Sequence, residues 1–217
     1  MNCHVKNMHL QQLVEKAAAL LCFLLLLAVD STKTVAAGRN QECDYDLQQT
    51  LRLSRQVHKE TCNLIKKYKD SEGEMAELFC KALISGIPDP NISGLEPSER
   101  IASIYTQLQV FSPHLKRVHE QQMDLQPQSP LLNLINVVRD QSRRLTLRIN
   151  NIYRIIFPNL SLPEPAGGPT ALPPPQNVFQ QKVYGCVVLK NYKKLLTNIS
   201  KDMRTLKSKV CRSGTSK

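Results

Sequence analysis

Four stretches of the 217-residue chain repeat an apolar residue every three or four positions, and every stretch is long. That spacing stacks side chains on one face of an α-helix. Run A covers about 44–69, with Leu47, Leu51, Ser54, His58, Thr61, Ile65 and Tyr68 on its stripe. Run B covers about 97–125, with Ile101, Ile104, Leu108, Phe111, Leu115 and Val118. Pro97 suits a first helical turn, and Pro113 predicts a kink near the middle. Run C covers about 130–157, with Leu131, Ile135, Val138, Leu145, Ile149, Ile152 and Ile156. Run D covers about 177–210, with Val183, Cys186, Leu189, Leu196, Ile199, Met203, Leu206 and Val210. Each run is roughly 40 Å long as a helix. Lone helices of this kind are marginal in water, so the stripes need one another. The expectation is an all-α, long-chain four-helix bundle with no competing strand pattern and no internal repeat.

The connections predict how the helices run. B to C is short, Gln126 to Ser129, which forces an antiparallel pair. A to B spans about 70–96 and C to D spans Pro158 to Gln176, the latter rich in proline. Connections this long are not needed by an up-down-up-down bundle, where a few residues suffice. The order long, short, long predicts up-up-down-down topology with two long crossover loops.

Ahead of run A, Ala17 to Val29 carries no charge, and Lys6 and Lys16 precede it. A spanning helix needs about 20 apolar residues, so this run is too short to cross and stay. With Val35-Ala36-Ala37 following, residues 1–37 read as a secretory signal peptide, removed after Ala37 to leave a 38–217 domain. The alternatives are a buried helix or a membrane anchor. Secretion favours disulfides among Cys43, Cys62, Cys80, Cys186 and Cys211, an odd number that leaves one thiol over. Sequons at Asn91, Asn159 and Asn198 fit the same route, Asn198 only if its helix turns it to water.

Two elements carry a resemblance. Asn177-Val-Phe-Gln-Gln-Lys-Val-Tyr-Gly-Cys186 resembles the start of the last helix in the leukaemia inhibitory factor and oncostatin M group of the interleukin-6 family of helical cytokines. The shared pattern is Phe179, Lys182 and Cys186, continued by Tyr192-Lys193. Leu147-Arg-Ile-Asn-Asn-Ile-Tyr153 is similar to the end of the group's third helix, and Ile101 to Pro127 matches its second in length and spacing. The likeness covers the whole mature chain. It implies the cytokine version of the up-up-down-down bundle. It also implies a secreted ligand that assembles two receptor chains. Phe179 and Lys182 would bind the leukaemia inhibitory factor receptor or the oncostatin M receptor, and the faces of A and C the shared signal-transducing subunit. Asn151 is the position matched on C. On A, Leu53 and Val57 lie off the stripe with Thr50 between them, an apolar edge that reads equally as partner surface or wider core.

The resemblance also implies a Cys80–Cys186 bridge. The group's other bridge is lost, because Arg154 stands where its second cysteine would be. In such a bundle A starts and D ends at one pole, so Cys43–Cys211 is expected instead, with Cys62 buried and free. Cys43–Cys62 is disfavoured, because nineteen helical residues put the two about 28 Å apart.

The 29 Lys and Arg against 18 acids give +11. Arg139, Arg143, Arg144, Arg148 and Arg154 load run C, and Lys190, Lys193, Lys194, Lys201, Arg204, Lys207, Lys209 and Arg212 load run D. These read as solvated faces or as attraction to heparan sulfate or acidic receptors. Nucleic acid is a poor fit with 5% aromatics and no Trp. No catalytic motif, metal-ligand pair or cofactor loop occurs, so the chain reads as a non-enzyme without cofactor or metal. The expected protein is a monomeric, extracellular glycoprotein cytokine that does not insert stably in membranes. It would bind cell-surface cytokine receptor ectodomains and drive JAK/STAT signalling. The other reading is a secreted basic amphipathic protein that binds glycosaminoglycan or lipid.

Overall fold

Polar side chains fix where the long helices start. Glu99 Oε2 accepts from the Leu95 and Glu96 N–H groups at 2.8 and 3.2 Å, so Pro97 opens a helix whose first donors are satisfied. Asn177 Oδ1 accepts from Gln180 N–H at 2.9 Å, and Gln180 Oε1 accepts from Asn177 N–H at 3.1 Å, a reciprocal cap. The structure is a computed structural model and describes residues 42–162, Leu172 and residues 176–211. Five helices occur among them: α1 (residues 42–72), α2 (Ala76–Phe79), α3 (Pro97–Leu125), α4 (Leu131–Ile156) and α5 (Val178–Val210). No strand occurs among the described residues, and the fold is all-α. One compact unit spans Cys43–Ser213. Residues 1–41 and 212–217 lie outside the described residues. The expected leader, residues 1–37, therefore lies outside the described residues, as does most of the connection from α4 to α5.

The stripes of α3 and α4 are buried as spaced: Ile101, Ile104, Leu108, Phe111, Leu115 and Val118 on one, Leu131, Ile135, Val138, Leu145, Ile149 and Ile152 on the other. Ile156 is half-buried. α3 continues through Pro113 without interruption. On α1 the stripe differs from the expected one. Leu47, Leu51, Ser54, Thr61 and Tyr68 are buried, but Val57 and Leu64 are buried where His58 and Ile65 were expected, and those two are half-buried. Steps of three and four both stay near one face, so the pattern alone leaves the edge of the stripe undecided; the neighbours' positions decide it. α1 ends at Gly73, whose φ of +71° suits glycine and whose N–H reaches Lys69 O at 3.1 Å.

Contacts along α5 show how the helices run. From α1, Cys43 meets Cys211 (Cα–Cα 5.9 Å), Asp44 meets Lys207 (3.2 Å), Ser54 meets Ser200 (2.9 Å), and Tyr68 Oη donates to Lys182 O (3.1 Å). Numbers rise on α1 as they fall on α5, so the two are antiparallel. From α3, Arg100 pairs with Asp202 (2.6 Å), the Phe111 and Tyr192 rings lie 5.6 Å apart, and His114 Nδ1 sits 2.7 Å from Tyr184 Oη. This pair is antiparallel too. Residues 73–96 run the other way along α5. Phe79 packs on Val183 and Val187, Cys80 faces Cys186 (Cα–Cα 5.1 Å), Lys190 Nζ donates to Cys80 O (2.9 Å), and Asn198 Nδ2 donates to Pro90 O (3.0 Å). α3 also packs against α4, to which residues 126–130 join it.

Two close fits generate predictions. A Cβ at Gly185 would overlap Tyr68 Oη and approach Tyr68 Cζ, so α1 and α5 touch here only because position 185 has no side chain. Gly185→Ala is expected to cost about 1–3 kcal/mol in urea denaturation, and a Tyr68→Phe partner should recover part of it through non-additivity.

His114 is fully buried, and burial holds its imidazole below the ordinary range. It is therefore neutral at pH 7, with Nδ1 hydrogen-bonded to the Tyr184 hydroxyl. Because the folded value lies below the unfolded one, the unfolded chain takes the proton first. The His114 contribution is complete above about pH 6.5 and is lost as pH falls through that window. Thermal stability should drop between pH 7 and about 5.5, above the carboxylate range. His58 and His119 are lowered by burial as well but are half-exposed, so His114→Asn should flatten most of the slope.

Candidate functional site

The cap at Asn177 places Val178 and Phe179 in the first turn of α5, before the first buried position, Val183. Phe179 is 58% exposed. Its ring meets Phe79 edge-on, centroids 5.2 Å apart at 87°, and Phe79 is itself buried against Val183 and Val187. The Phe179 ring is thus propped from beneath and open above. Val178 and Leu78, each next to one of these rings in the chain, are exposed as well. An apolar platform results at the start of α5, built from α5 and α2.

Lys182 lies three residues beyond Phe179. Its Nζ sits 2.7 Å from Glu72 Oε2, and the Glu72 side chain is only 2% exposed. Lys182 therefore has a structural partner: it neutralises a covered carboxylate at the end of α1 while its side chain stays 29% exposed. Nearby, Lys69 pairs with Glu77 on the outside of α2.

A second surface lies between α1 and α4. A cleft of about 480 Å³ is lined by Arg52 and Leu53 from α1 and by Arg144, Leu147 and Arg148 from α4. Leu147 is 60% exposed, an apolar side chain outside the buried stripe. Asn151 is exposed one turn further along the same face of α4. Of the α1 residues expected at this edge, only Leu53 reaches it. Thr50 and Val57 are fully buried and belong to the core, which corrects the expectation of an exposed edge through all three. The reason is the drift of the α1 stripe described above: it turns Thr50 and Val57 inward.

Cys43 and Cys211, and Cys80 and Cys186, are joined as disulfides with Cα spacings in the bridging range. Cys62 is free, but half-buried rather than buried, with Sγ 3.8 and 3.9 Å from the His58 ring nitrogens. Asn91 and Asn159 are exposed. Asn198 is half-buried and its Nδ2, the atom a glycan would need, donates to Pro90 O; this corrects the expectation of a third glycan site. Among the described residues no helix is long and apolar enough to cross a membrane, and no group of three His, Cys, Asp or Glu could hold a metal ion.

Three members of these surfaces escaped the sequence reading. Phe79 was signalled by Cys80: a bridge to Cys186 draws the preceding ring towards the start of α5. Leu147 was signalled by being a large apolar residue off its helix's stripe. Glu72 had no local signal, because only the meeting of α1 and α5 covers it. No protein-family model, curated protein or solved structure matches the chain.

The Lys182–Glu72 pair gives a test of how the platform is held. Lys182→Ala strands a covered carboxylate and should cost about 2–3 kcal/mol in urea denaturation. Adding Glu72→Gln should restore most of that loss. Equal stabilities for Lys182→Ala and the parent would mean the pair holds nothing.

Proposed function

We propose that the protein is a secreted helical cytokine of the leukaemia inhibitory factor and oncostatin M group, with no catalytic role. It acts by joining the shared signal-transducing subunit to the leukaemia inhibitory factor or oncostatin M receptor, which starts JAK/STAT signalling. The observation that carries this is the exposed Phe179 ring propped on Phe79 at the head of an otherwise buried helix. An aromatic held rigid and open, beside a basic residue, has the make-up of an interface anchor. The apolar platform is the surface for the second receptor, with Lys182 at its margin. The α1–α4 face, with Leu53, Leu147 and Asn151, is the surface for the shared subunit.

The same reading takes the helices as an up-up-down-down bundle with two crossover connections. Its support is the order of contacts: α1 and α3 both run antiparallel to α5, and residues 73–96 climb along α5 between them. Such a connection carries the chain from the far end of α1 back to the start of a parallel α3. Support for an extracellular site comes from the two disulfides, which persist in oxidising compartments, and from the leader expected at residues 1–37. Glycans on Asn91 and Asn159 belong to the same proposal.

Surface binding of the purified protein to the two receptor ectodomains tests it. Phe179→Ala should weaken binding to the leukaemia inhibitory factor receptor by about 30-fold or more and leave the shared subunit unaffected. Leu147→Asp should do the reverse. Phe179→Ala is preferred to a change at Lys182, because Lys182 also supports the fold. Absence of binding to either ectodomain by the folded protein would overturn the reading.

A further inference from the structure

A third surface, between α1 and α5, has a different chemistry from the two above. A cleft of about 350 Å³ is lined by Arg55 and His58 from α1 and by Thr197, Ser200, Lys201 and Arg204 from α5. Arg55, Lys201 and Arg204 are exposed, and none has an ion-pair partner among the described residues. Lys193 extends the row: its charge acts on His58, whose imidazole is held down by burial first and by Lys193 second. Lys59 stands one turn along α1 from Arg55, also exposed. From Lys193 to Arg204 the row runs about 16 Å along the helix. No carboxylate lines the cleft. Its margins are cationic, its α5 wall carries the Thr197 and Ser200 hydroxyls, and none of the large exposed apolar residues lies in it.

We infer that this α1–α5 groove is a binding site for a sulfated glycosaminoglycan chain, laid along the helices with its sulfates on Arg55, Lys193, Lys201 and Arg204. Three features favour that partner. Unpaired cations along a groove create a field that attracts a linear polyanion, and a groove between two rods suits a chain better than a flat surface. The Thr197 hydroxyl, whose hydrogen goes to Lys193 O at 3.1 Å, keeps lone pairs that can accept from a sugar hydroxyl. A membrane surface would call for apolar side chains beside the cations, and a single-stranded nucleic acid for aromatic platforms; the groove has neither. The two disulfides fit the oxidising, extracellular setting proposed above, where such polysaccharides occur. The site is separate from the Phe179 platform and from the Leu147 face, so its success or failure is independent of the receptor reading.

The test is binding of the purified protein to a size-defined heparin oligosaccharide at about 150 mM salt, near the physiological ionic strength. Lys201→Ala/Arg204→Ala should weaken it by about 30-fold and lower the slope of log affinity against log salt by about two. Arg143→Ala/Arg154→Ala, which removes the same charge from exposed positions on α4, should change affinity less than about twofold. Circular dichroism and urea midpoints should be the same in both variants as in the parent protein. Chemically desulfated oligosaccharide should not bind. Equal losses from the two double variants would overturn the inference, since charge alone would then be responsible. So would equal or tighter binding to phosphatidylserine vesicles or duplex DNA, or undiminished binding of the desulfated chain.

Discussion

Helix α5 is apolar on too many sides for one neighbour to cover. Every residue from Val183 to Leu189 is buried, and so are Tyr192, Leu195, Leu196, Ile199, Met203 and Leu206. An amphipathic surface helix hides a single stripe; α5 needs cover from several directions. α1 supplies one side, α3 another, and residues 73–96 a third. Both disulfides end on this helix or at its C-terminal cap, Cys186 within it and Cys211 just after it. The close approach of Tyr68 at Gly185 and the Arg100–Asp202 ion pair lock its neighbours in register. The other helices can be described by where each one touches α5.

That burial explains why the exposed first turn matters. A helix so thoroughly covered has few places to present an aromatic ring, and the Asn177 cap creates one by starting the helix a turn before the cover begins. Phe79 then does two things. It closes the apolar end of α5 through Val183 and Val187, and it props the Phe179 ring from one side. Glu72, arriving at the end of α1, draws Lys182 inward. The platform is therefore held by parts of α1, α2 and α5 together, and a ring held that way loses little freedom when a partner covers it.

The three surfaces separate by chemistry. The start of α5 is apolar with a basic margin, the α1–α4 face mixes Leu53 and Leu147 with Arg52, Arg144 and Arg148, and the α1–α5 groove is cationic and hydroxyl-lined. The long basic runs of α4 and α5 thus divide among different faces. Arg144 and Arg148 go to one cleft, Lys201 and Arg204 to another, and Lys190 spends its charge on the Cys80 carbonyl inside the fold.

Periodicity alone was enough for α3 and α4, because each has one clean apolar stripe and polar residues elsewhere: Ile101 to Val118 and Leu131 to Ile152 needed no neighbour to be recognised. It was not enough for α1. Thr50, Ser54 and Thr61 are buried there, and a stripe with polar members has no sharp edge in the sequence, so Val57 and Leu64 were passed over for His58 and Ile65. In the candidate site, Phe179 and Lys182 stood out through the resemblance carried by their pattern with Cys186, yet a pattern cannot say whether a ring faces solvent or core. That depended on where α2 came to rest. The local code of apolar spacing, caps and turn glycines determined which residues became helix and roughly where each helix began and ended, since those choices depend on neighbours a few positions away. Which polar residues turned inward, which cations were left without partners and which aromatic ring stayed open were decided by the tertiary structure, because each depends on a residue 100 to 146 positions distant in the chain being brought alongside or kept away.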